Sequence, residues 1–259
     1  LRLIHHTRYG KVDPRAIDKN WNHDEGPKAE ALAADLGRAL AAPNLKATVT
    51  AMRQEPLFYS RLKEGLARYR ALAAAGGWPT IPKGPKLEPG VQDARVPIIR
   101  ERLRITGDYQ GPLPVSGHLY GPELEKAVKR FQERHALGVD GVIGPATLAA
   151  MNVSAAERVA QIRVNLERMR WVGEALPPDY LLVDITAQRV ELYRDGQLAW
   201  ETKAIVGRSE RPTPIFRDRI EYLEFNPTWT VPPTILKEDV VPKARKDPNA
   251  VRKKGLEII

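Results

Sequence analysis

Few side chains in these 259 residues could act as a nucleophile, a general base or a metal ligand. Cysteine does not occur, which excludes a thiolate nucleophile, disulfide bonds and thiolate metal sites, and leaves the redox compartment open. The sequence contains five histidines, at positions His5, His6, His23, His118 and His135. The adjacent pair His5 and His6 lacks the converging ligands that a metal site needs. No histidine follows residue 135, so the last part of the chain cannot supply a set of serine, histidine and aspartate. The residues therefore predict no metal, no cofactor and no complete catalytic set, and they favour surface or helix-packing roles for the histidines.

The composition is that of a globular chain with a positive surface, with 42% hydrophobic residues, 28% charged residues and a net charge of +9. No apolar run is long enough to span a membrane. The first residues show no signal peptide and resemble the end of a helix already under way, so upstream sequence is expected. The basic runs Lys243–Lys246 and Arg252–Lys254 contain no aromatic residues for stacking, which argues against nucleic acid as a partner. The positive excess suits weak attraction to a polyanionic surface, or it is an ordinary solvated surface.

Apolar residues at helical spacing predict a helical scaffold over residues 1–75. The predicted core faces are Leu32, Leu36 and Leu40 in one helix, and Leu62, Leu66, Tyr69 and Leu72 in another. The second of these helices is expected to begin at Pro56 and to stop at Gly76 and Gly77. Four prolines between residues 78 and 90 then predict an extended linker, so that the first domain with its linker covers residues 1–90.

Residues 91–153 predict a compact module of three helices. The first runs from Val96 to Thr106, the second begins after Gly121, and the third runs from Ala146 to Met151. The residues expected in its core are Phe131, Val139 and Leu148. The dipeptide Asp140-Gly141 predicts a turn between the second and third helices.

Three segments of this module carry a family resemblance. Leu119-Tyr-Gly-Pro, Ala127-Val-Lys-Arg-Phe-Gln132 and Gly138-Val-Asp-Gly-Val-Ile-Gly-Pro-Ala-Thr-Leu148 together resemble the three-helix peptidoglycan-binding domain. The resemblance implies glycan strands or stem peptides as ligands, with Tyr120 and Asp140 as candidate substrate-binding residues. Alternatively, the module is only a scaffold, and Asp140, Gly141 and Gly144 are turn and cap residues.

The chain then changes from helical to strand periodicity. Ser154-Ala-Ala-Glu157 predicts a capping box that opens a linker helix ending near Trp171, within a linker segment at residues 154–178. From Tyr180 the period is two, and Asp195-Gly196 predicts the turn of a β-hairpin. A third strand is expected through residues 220–227.

Two motifs in this last part carry a second resemblance. Val206-Gly207 with Thr213-Pro214, and Asn226-Pro-Thr-Trp-Thr-Val-Pro-Pro233, resemble the L,D-transpeptidase catalytic domain in its large, multi-domain Gram-negative form. The resemblance implies a multi-domain α+β fold: a helical scaffold, a peptidoglycan-binding module, the β-rich first part of the catalytic domain at 179–235 and the start of a helical cap insertion at 236–259. It also implies cysteine acyl transfer between the third residues of stem peptides, a periplasmic location, other cell-wall enzymes as partners and carbapenem-type inhibitors of the complete enzyme.

The catalytic motifs of that family, His-Gly and Ser-x-Gly-Cys-x-Arg, do not occur in the sequence, so no catalytic residue is predicted. Three interpretations follow: a fragment of an L,D-transpeptidase, a non-catalytic peptidoglycan-binding scaffold or pseudoenzyme, or an unrelated basic binding protein. In the first, the prolines around Trp229 hold Asn226 and Trp229 at the border of the substrate groove. The alternative for Trp229 is a plug in the hydrophobic core.

Overall fold

The computed structural model describes residues 1–23, 29–52, 58–112, 117–172, 176–247, 249–253 and 255–256. These residues form helices and one small antiparallel sheet, and the sequence predicts both kinds of element. The chain divides into two compact units, Leu1–Phe216 and Arg217–Ile259, which are described separately. Within the described ranges, no helix has both the length and the apolar character needed to cross a bilayer.

The N-terminal part is helical, as its apolar spacing predicts. Its elements are α1 (Arg2–Tyr9), a 3-10 turn (Pro14–Ala16), α2 (Ala29–Ala41), α3 (Leu45–Ala51) and α4 (Tyr59–Ala74). Asn44 caps α3, because its side chain accepts a hydrogen bond from the N–H of Ala47 at 2.9 Å. Helix α4 ends where predicted, since Gly76 and Gly77 adopt the positive φ angles, 95° and 74°, that terminate a helix. The predicted start at Pro56 lies outside the described residues.

The buried face of α2 differs from the predicted one, which consisted of Leu32, Leu36 and Leu40. Leu40 is 69% exposed, whereas Asp35 and Ala39 are buried. Asp35 accepts hydrogen bonds from Arg8 of α1, at 2.6 Å, and from Arg38. Burial alone would raise the pKa of Asp35, but the two arginines outweigh it and lower that pKa. This ion pair with α1 decides which side of α2 faces inward, because a buried carboxylate is tolerated only when it is paired.

Helix α8 (Ala155–Trp171) packs along α4. The predicted capping box is present: the N–H of Glu157 donates to Ser154 Oγ at 3.2 Å, and the N–H of Ser154 donates to the Glu157 carboxylate at 2.8 Å. Near the other end, Arg170 donates to the hydroxyl of Tyr59 at 2.7 Å. Because α4 and α8 are joined along their length, the linker helix is part of the N-terminal body.

Between α4 and α8 lie α5 (Val96–Thr106), α6 (Pro122–Arg134) and α7 (Pro145–Asn152), whose bounds agree with the predicted helices. They share one hydrophobic core, made of Ile81, Leu87, Val96, Ile99, Leu103, Tyr109, Tyr120, Leu124, Ala127, Val128, Phe131, Ile143 and Met151. Phe131 is fully buried and Leu148 packs against this core, as predicted. The prediction for Val139 is wrong, since its side chain is 53% exposed. The side chain of Gln132 donates a hydrogen bond to Asp140 and accepts one from the N–H of Gly141, which holds these two residues against α6. Val139 is left on the outer side of the turn.

The proline-rich segment at 78–90 is extended, as expected, but it lies against the module. Ile81 donates to and accepts from the side chain of Asn152, at 2.8 and 2.9 Å. Leu87 pairs with Ile143 through two backbone hydrogen bonds of 3.2 and 2.9 Å. Two apolar side chains of this segment, Ile81 and Leu87, complete the core, so the segment is structurally part of the module.

The sheet of the first unit has three antiparallel strands in the order β1 (Tyr180–Asp184), β2 (Arg189–Arg194) and β3 (Gln197–Lys203). The predicted hairpin turn at Asp195 and Gly196 is confirmed, with φ angles of 49° and 70°.

The second unit contains short helical segments and no strand among its described residues. They are α9 (Pro233–Ile235), a π-helical turn (Leu236–Val240), α10 (Val241–Lys246) and α11 (Ala250–Lys253). The π turn precedes Pro242, whose ring would clash with a carbonyl four residues earlier in a regular α-helix. The third strand predicted at 220–227 is therefore wrong: alternating apolar residues are present, but none of the described residues supplies the ladder hydrogen bonds that a strand requires.

Replacing a core residue and an exposed neighbour should separate these two kinds of position. We expect Phe131→Ala to lower the free energy of unfolding by about 3–5 kcal/mol, because it leaves a cavity in the core. Val139→Ala should lower it by less than about 0.5 kcal/mol, because that side chain is largely in water. Chemical denaturation followed by circular dichroism measures both, and equal losses would contradict this placement of the core.

Candidate functional site

The turn after α6 is held by the side chain of Gln132, which is buried. Its amide donates to Asp140 Oδ1 at 2.8 Å and to the carbonyl of Val142 at 2.9 Å, and its oxygen accepts the N–H of Gly141 at 2.9 Å. Asp140 Oδ1 also accepts the N–H of Val142 at 2.8 Å. Gly141 has a φ of 76°, and a Cβ there would lie 3.0 Å from atoms of α6 side chains. Gln132, Asp140 and Gly141 carry the resemblance of residues 91–153, and the geometry of this turn accounts for all three.

Tyr120 lies inside the module, with no exposed surface. Its hydroxyl donates to the carbonyl of Gly141 at 2.5 Å, and burial raises its pKa. A ligand on the surface could not rest on this ring, so the structure gives Tyr120 a packing role. Asp140 itself is exposed, and its contacts with a ligand stay a prediction.

The other two predicted binding residues, Asn226 and Trp229, lie in the second unit. Asn226 has a positive φ of 53°, and both side chains are exposed, Trp229 by 61%. Trp229 is accompanied by exposed apolar residues earlier in the same unit: Ile220, Tyr222, Leu223 and Phe225. The exposure of Trp229 does not agree with a core plug, and its contact with a substrate stays a prediction.

Residues 207–213 form a tight turn, which explains the presence of Gly207 and Thr213 in the motif Val206-Gly207 with Thr213-Pro214. The N–H of Gly207 donates to Thr213 Oγ1 at 2.7 Å, and the N–H of Arg211 donates to the carbonyl of Arg208 at 2.9 Å. A Cβ on Gly207 would lie 2.6 Å from the nitrogen of Thr213, closer than any side chain tolerates. The turn therefore requires glycine at 207, and the hydroxyl of Thr213 stabilises it by one hydrogen bond.

One cluster gives no signal in the sequence: Trp21, His23 and Trp171, together with Ile215. Trp21 and His23 are buried, although they lie outside any helix or strand of that part of the chain. Trp21 and His23 are not part of any periodic pattern of apolar residues. Their burial therefore becomes visible only where distant segments of the chain meet.

The described residues contain no metal-ligand cluster. Nowhere among them do three histidine or acidic side chains converge as metal ligands. His135 stacks on Phe131 with ring centres 3.9 Å apart, and burial lowers its pKa to about 4, so it is a neutral packing residue at neutral pH. The chain supplies no thiolate for acyl transfer.

Three segments of the chain match known domain families. Residues 178–258 match the L,D-transpeptidase catalytic domain, residues 92–151 the peptidoglycan-binding domain, and residues 1–66 a scaffold domain. A relative in Haemophilus influenzae, whose name assigns it to the L,D-transpeptidases, is 30% identical over 102 residues. The aligned part covers 38% of this chain and 20% of that protein, so the chain spans about a fifth of the curated relative that it matches. These matches confirm the resemblance to the L,D-transpeptidases drawn from the motifs.

The charge on Asp140 should stabilise the module in a pH-dependent way. Hydrogen bonds from the N–H of Val142 and from Gln132 lower the pKa of Asp140 in the folded state. A lowered pKa stabilises the fold above the unfolded value of about 4, and this contribution is lost as the pH falls through the folded value. We expect Asp140→Asn to lower the melting temperature near neutral pH and to approach the wild type below about pH 3. If the melting temperatures of the wild type and Asp140→Asn differ by the same amount at both pH values, the charge of Asp140 does not stabilise the fold.

Proposed function

We propose that this chain is the positioning part of a peptidoglycan L,D-transpeptidase. The enzyme forms cross-links between the third residues of stem peptides by cysteine acyl transfer, and the 259 residues described here do not include its nucleophile. The observation that carries the proposal is the order of the three matches, scaffold, peptidoglycan-binding domain and catalytic domain, along one chain. The need for glycine at 207 and the hydrogen bond from its N–H to Thr213 support it, because the motif that marks the catalytic domain has a defined geometry here.

The chemistry proposed for the enzyme needs groups that the chain does not contain. A thiolate attacks the carbonyl between the third and fourth stem residues and forms an acyl-enzyme, which an amine of a second stem peptide then resolves. A histidine activates the thiol, and backbone N–H groups stabilise the oxyanion. The five histidines of this chain all precede the catalytic segment, which starts at residue 178, so none is proposed as the base.

We assign the module a spacing role toward the glycan strands. Its motif residues are used in the turn and core, and it is fastened to the helices on both sides. Arg68 of α4 donates to the carbonyl of Thr106 at 2.7 Å, and Arg158 of α8 donates to the carbonyl of Ala150 at 2.9 Å. Helix α8 has 17 residues and is therefore about 25 Å long at ~1.5 Å per residue. A fixed module with a helix of this length suits an arm that holds the catalytic domain at a set distance from the polymer.

The remaining parts of the proposal concern the groove and its surroundings. Exposed Trp229 and Asn226 would line the wall of the substrate groove, and the helices from Pro233 onward would begin the cap over it. Stem peptides and glycan strands are the proposed substrates, carbapenem-type inhibitors the proposed ligands of the complete enzyme, and other cell-wall enzymes its proposed partners. Nucleic acid is not proposed, and the location that suits this substrate is the periplasm.

A second candidate function is a non-catalytic peptidoglycan-binding scaffold, which the absence of cysteine favours. The two candidates differ in the intact mass of the natural protein. A mass clearly above that of the 259 residues, with a cysteine in the added part, supports the enzyme; a mass equal to theirs supports the scaffold.

The chain by itself should have no transpeptidase or carboxypeptidase activity on tetrapeptide stems, because it contains no thiol to carry the acyl group. Incubation with a purified tetrapeptide, followed by mass spectrometry of products and protein, tests this expectation. Turnover together with a covalent acyl-protein would contradict it, and serine or water chemistry would then have to be sought.

The chain should bind isolated sacculi weakly, because most motif residues of the module are engaged in its own fold. In a pull-down, we expect Asp140→Asn to leave retention unchanged and Trp229→Ala to reduce it without lowering the melting temperature, since Trp229 is 61% exposed. Saturable low-micromolar binding that is lost in folded Asp140→Asn would make the module a receptor. A collapse of the Trp229→Ala fold would return that residue to a core role.

A further inference from the structure

Residues 20–23, which we name the Trp21 segment, pair with a residue almost two hundred positions away. The N–H of Asn22 donates to the carbonyl of Ile215 at 2.8 Å, and the N–H of Ile215 donates to the carbonyl of Asn20 at 3.2 Å. Trp21 and Ile215 are partners in this parallel β-bridge. A loop of the N-terminal domain thus supplies strand-like pairing to the segment that follows β3.

The side chains of the same segment are anchored on the last turn of α8. Trp21 packs edge-on against Trp171 with ring centres 5.7 Å apart, and it stacks on His23 at 6.0 Å. His23 Nε2 donates to the carbonyl of Val172, the C-cap of α8, at 3.2 Å. Aromatic contacts of this kind stabilise a structure beyond the burial of their area. The segment is therefore fixed to α8 by its side chains and to Ile215 by its backbone.

Ile215 lies two residues after Thr213, whose hydroxyl closes the turn at Gly207. No strand of the sheet holds this turn, since β3 ends at Lys203. In the described part of the chain, backbone pairing outside the turn reaches residues 207–215 through Asn20 and Asn22. The Trp21 segment therefore connects the chain that leaves this turn to the end of α8.

We propose that the Trp21 segment is a positioning element of the catalytic domain: Trp21 and His23 lock it to the end of α8, and its backbone holds residues 207–215 in place. In this arrangement a segment of the N-terminal scaffold helps to fix the conformation of the catalytic domain. The inference relies on the proposed function only for the identity of that domain.

Hydrogen exchange of the whole chain, read by mass spectrometry, tests the proposal without peptidoglycan. Trp21→Ala should accelerate exchange of the Gly207 and Ile215 amides by about tenfold or more, and leave β1, β2 and the core helices of the module unchanged. Trp21→Phe should keep most of the protection, because a ring remains against Trp171. Trp200→Ala, at a half-exposed position on β3, is the matched control and should leave both amides unchanged.

The absence of native cysteines allows a rescue experiment with an unambiguous disulfide. Paired strands lie about 4.8 Å apart, within the Cα separation of roughly 4.4–6.8 Å that a disulfide spans. The double variant Trp21→Cys and Ile215→Cys should therefore exchange fast at Gly207 when reduced and slowly when oxidised.

Two results would overturn the proposal. One is equal exchange at Gly207 in the reduced and oxidised forms of the double variant, which would separate the turn from the segment. The other is loss of protection throughout the first unit in both Trp21→Ala and Trp21→Phe, which would make Trp21 a general fold residue. If the proposed peptidoglycan chemistry fails while exchange behaves as expected, the positioning role still stands.

Discussion

The packing of α8 along α4 is the contact on which the rest of the first unit depends. At its N-terminal end, Arg158 reaches back to the last turn of α7. Near its C-terminal end, the carboxylate of Glu167 accepts the N–H groups of Lys11 and Val12, which ties the chain after α1 to the same helix. The final residue, Trp171, receives the Trp21 segment. One continuous helix thus connects the N-terminal helices, the module and, through the Trp21 segment, the chain at Ile215.

Arginines on other helices join neighbouring elements by donating to carbonyls near helix C-termini. Arg68 and Arg102 reach Thr106 and Met151, and Arg102 also lies 3.8 Å above the ring of Trp78. Cations at helix C-termini oppose the negative end of the helix dipole and satisfy carbonyls that lack partners within the helix. Burial lowers the pKa of Arg102 to about 10, which still leaves it charged at neutral pH. Some of the positive charges of the chain therefore stabilise its fold, and these charges do not contribute to binding a polyanionic surface.

The two family motifs differ in what their residues do. In the module, the glutamine, aspartate and glycine of the motif form hydrogen bonds with one another, so these motif residues stabilise the turn. In the second unit, Asn226 and Trp229 are exposed and do not serve a core. A motif by itself does not separate these two cases, because a residue needed for closure and a residue needed for binding leave the same pattern in one sequence.

The sequence by itself determined the local elements of this protein. Helix bounds in the module, the capping box at Ser154 and the hairpin turn at Asp195 follow from short-range rules, since caps, turns and periodicity act within a few residues. Only the tertiary structure decided which faces are buried and which distant segments meet. Asp35 displaced Leu40 from the core because its partner Arg8 lies on another helix, and residues 220–227 form no strand without a paired neighbour. Trp21 could not be recognised at all, because its role depends on contacts with Trp171 and Ile215 that no local pattern encodes.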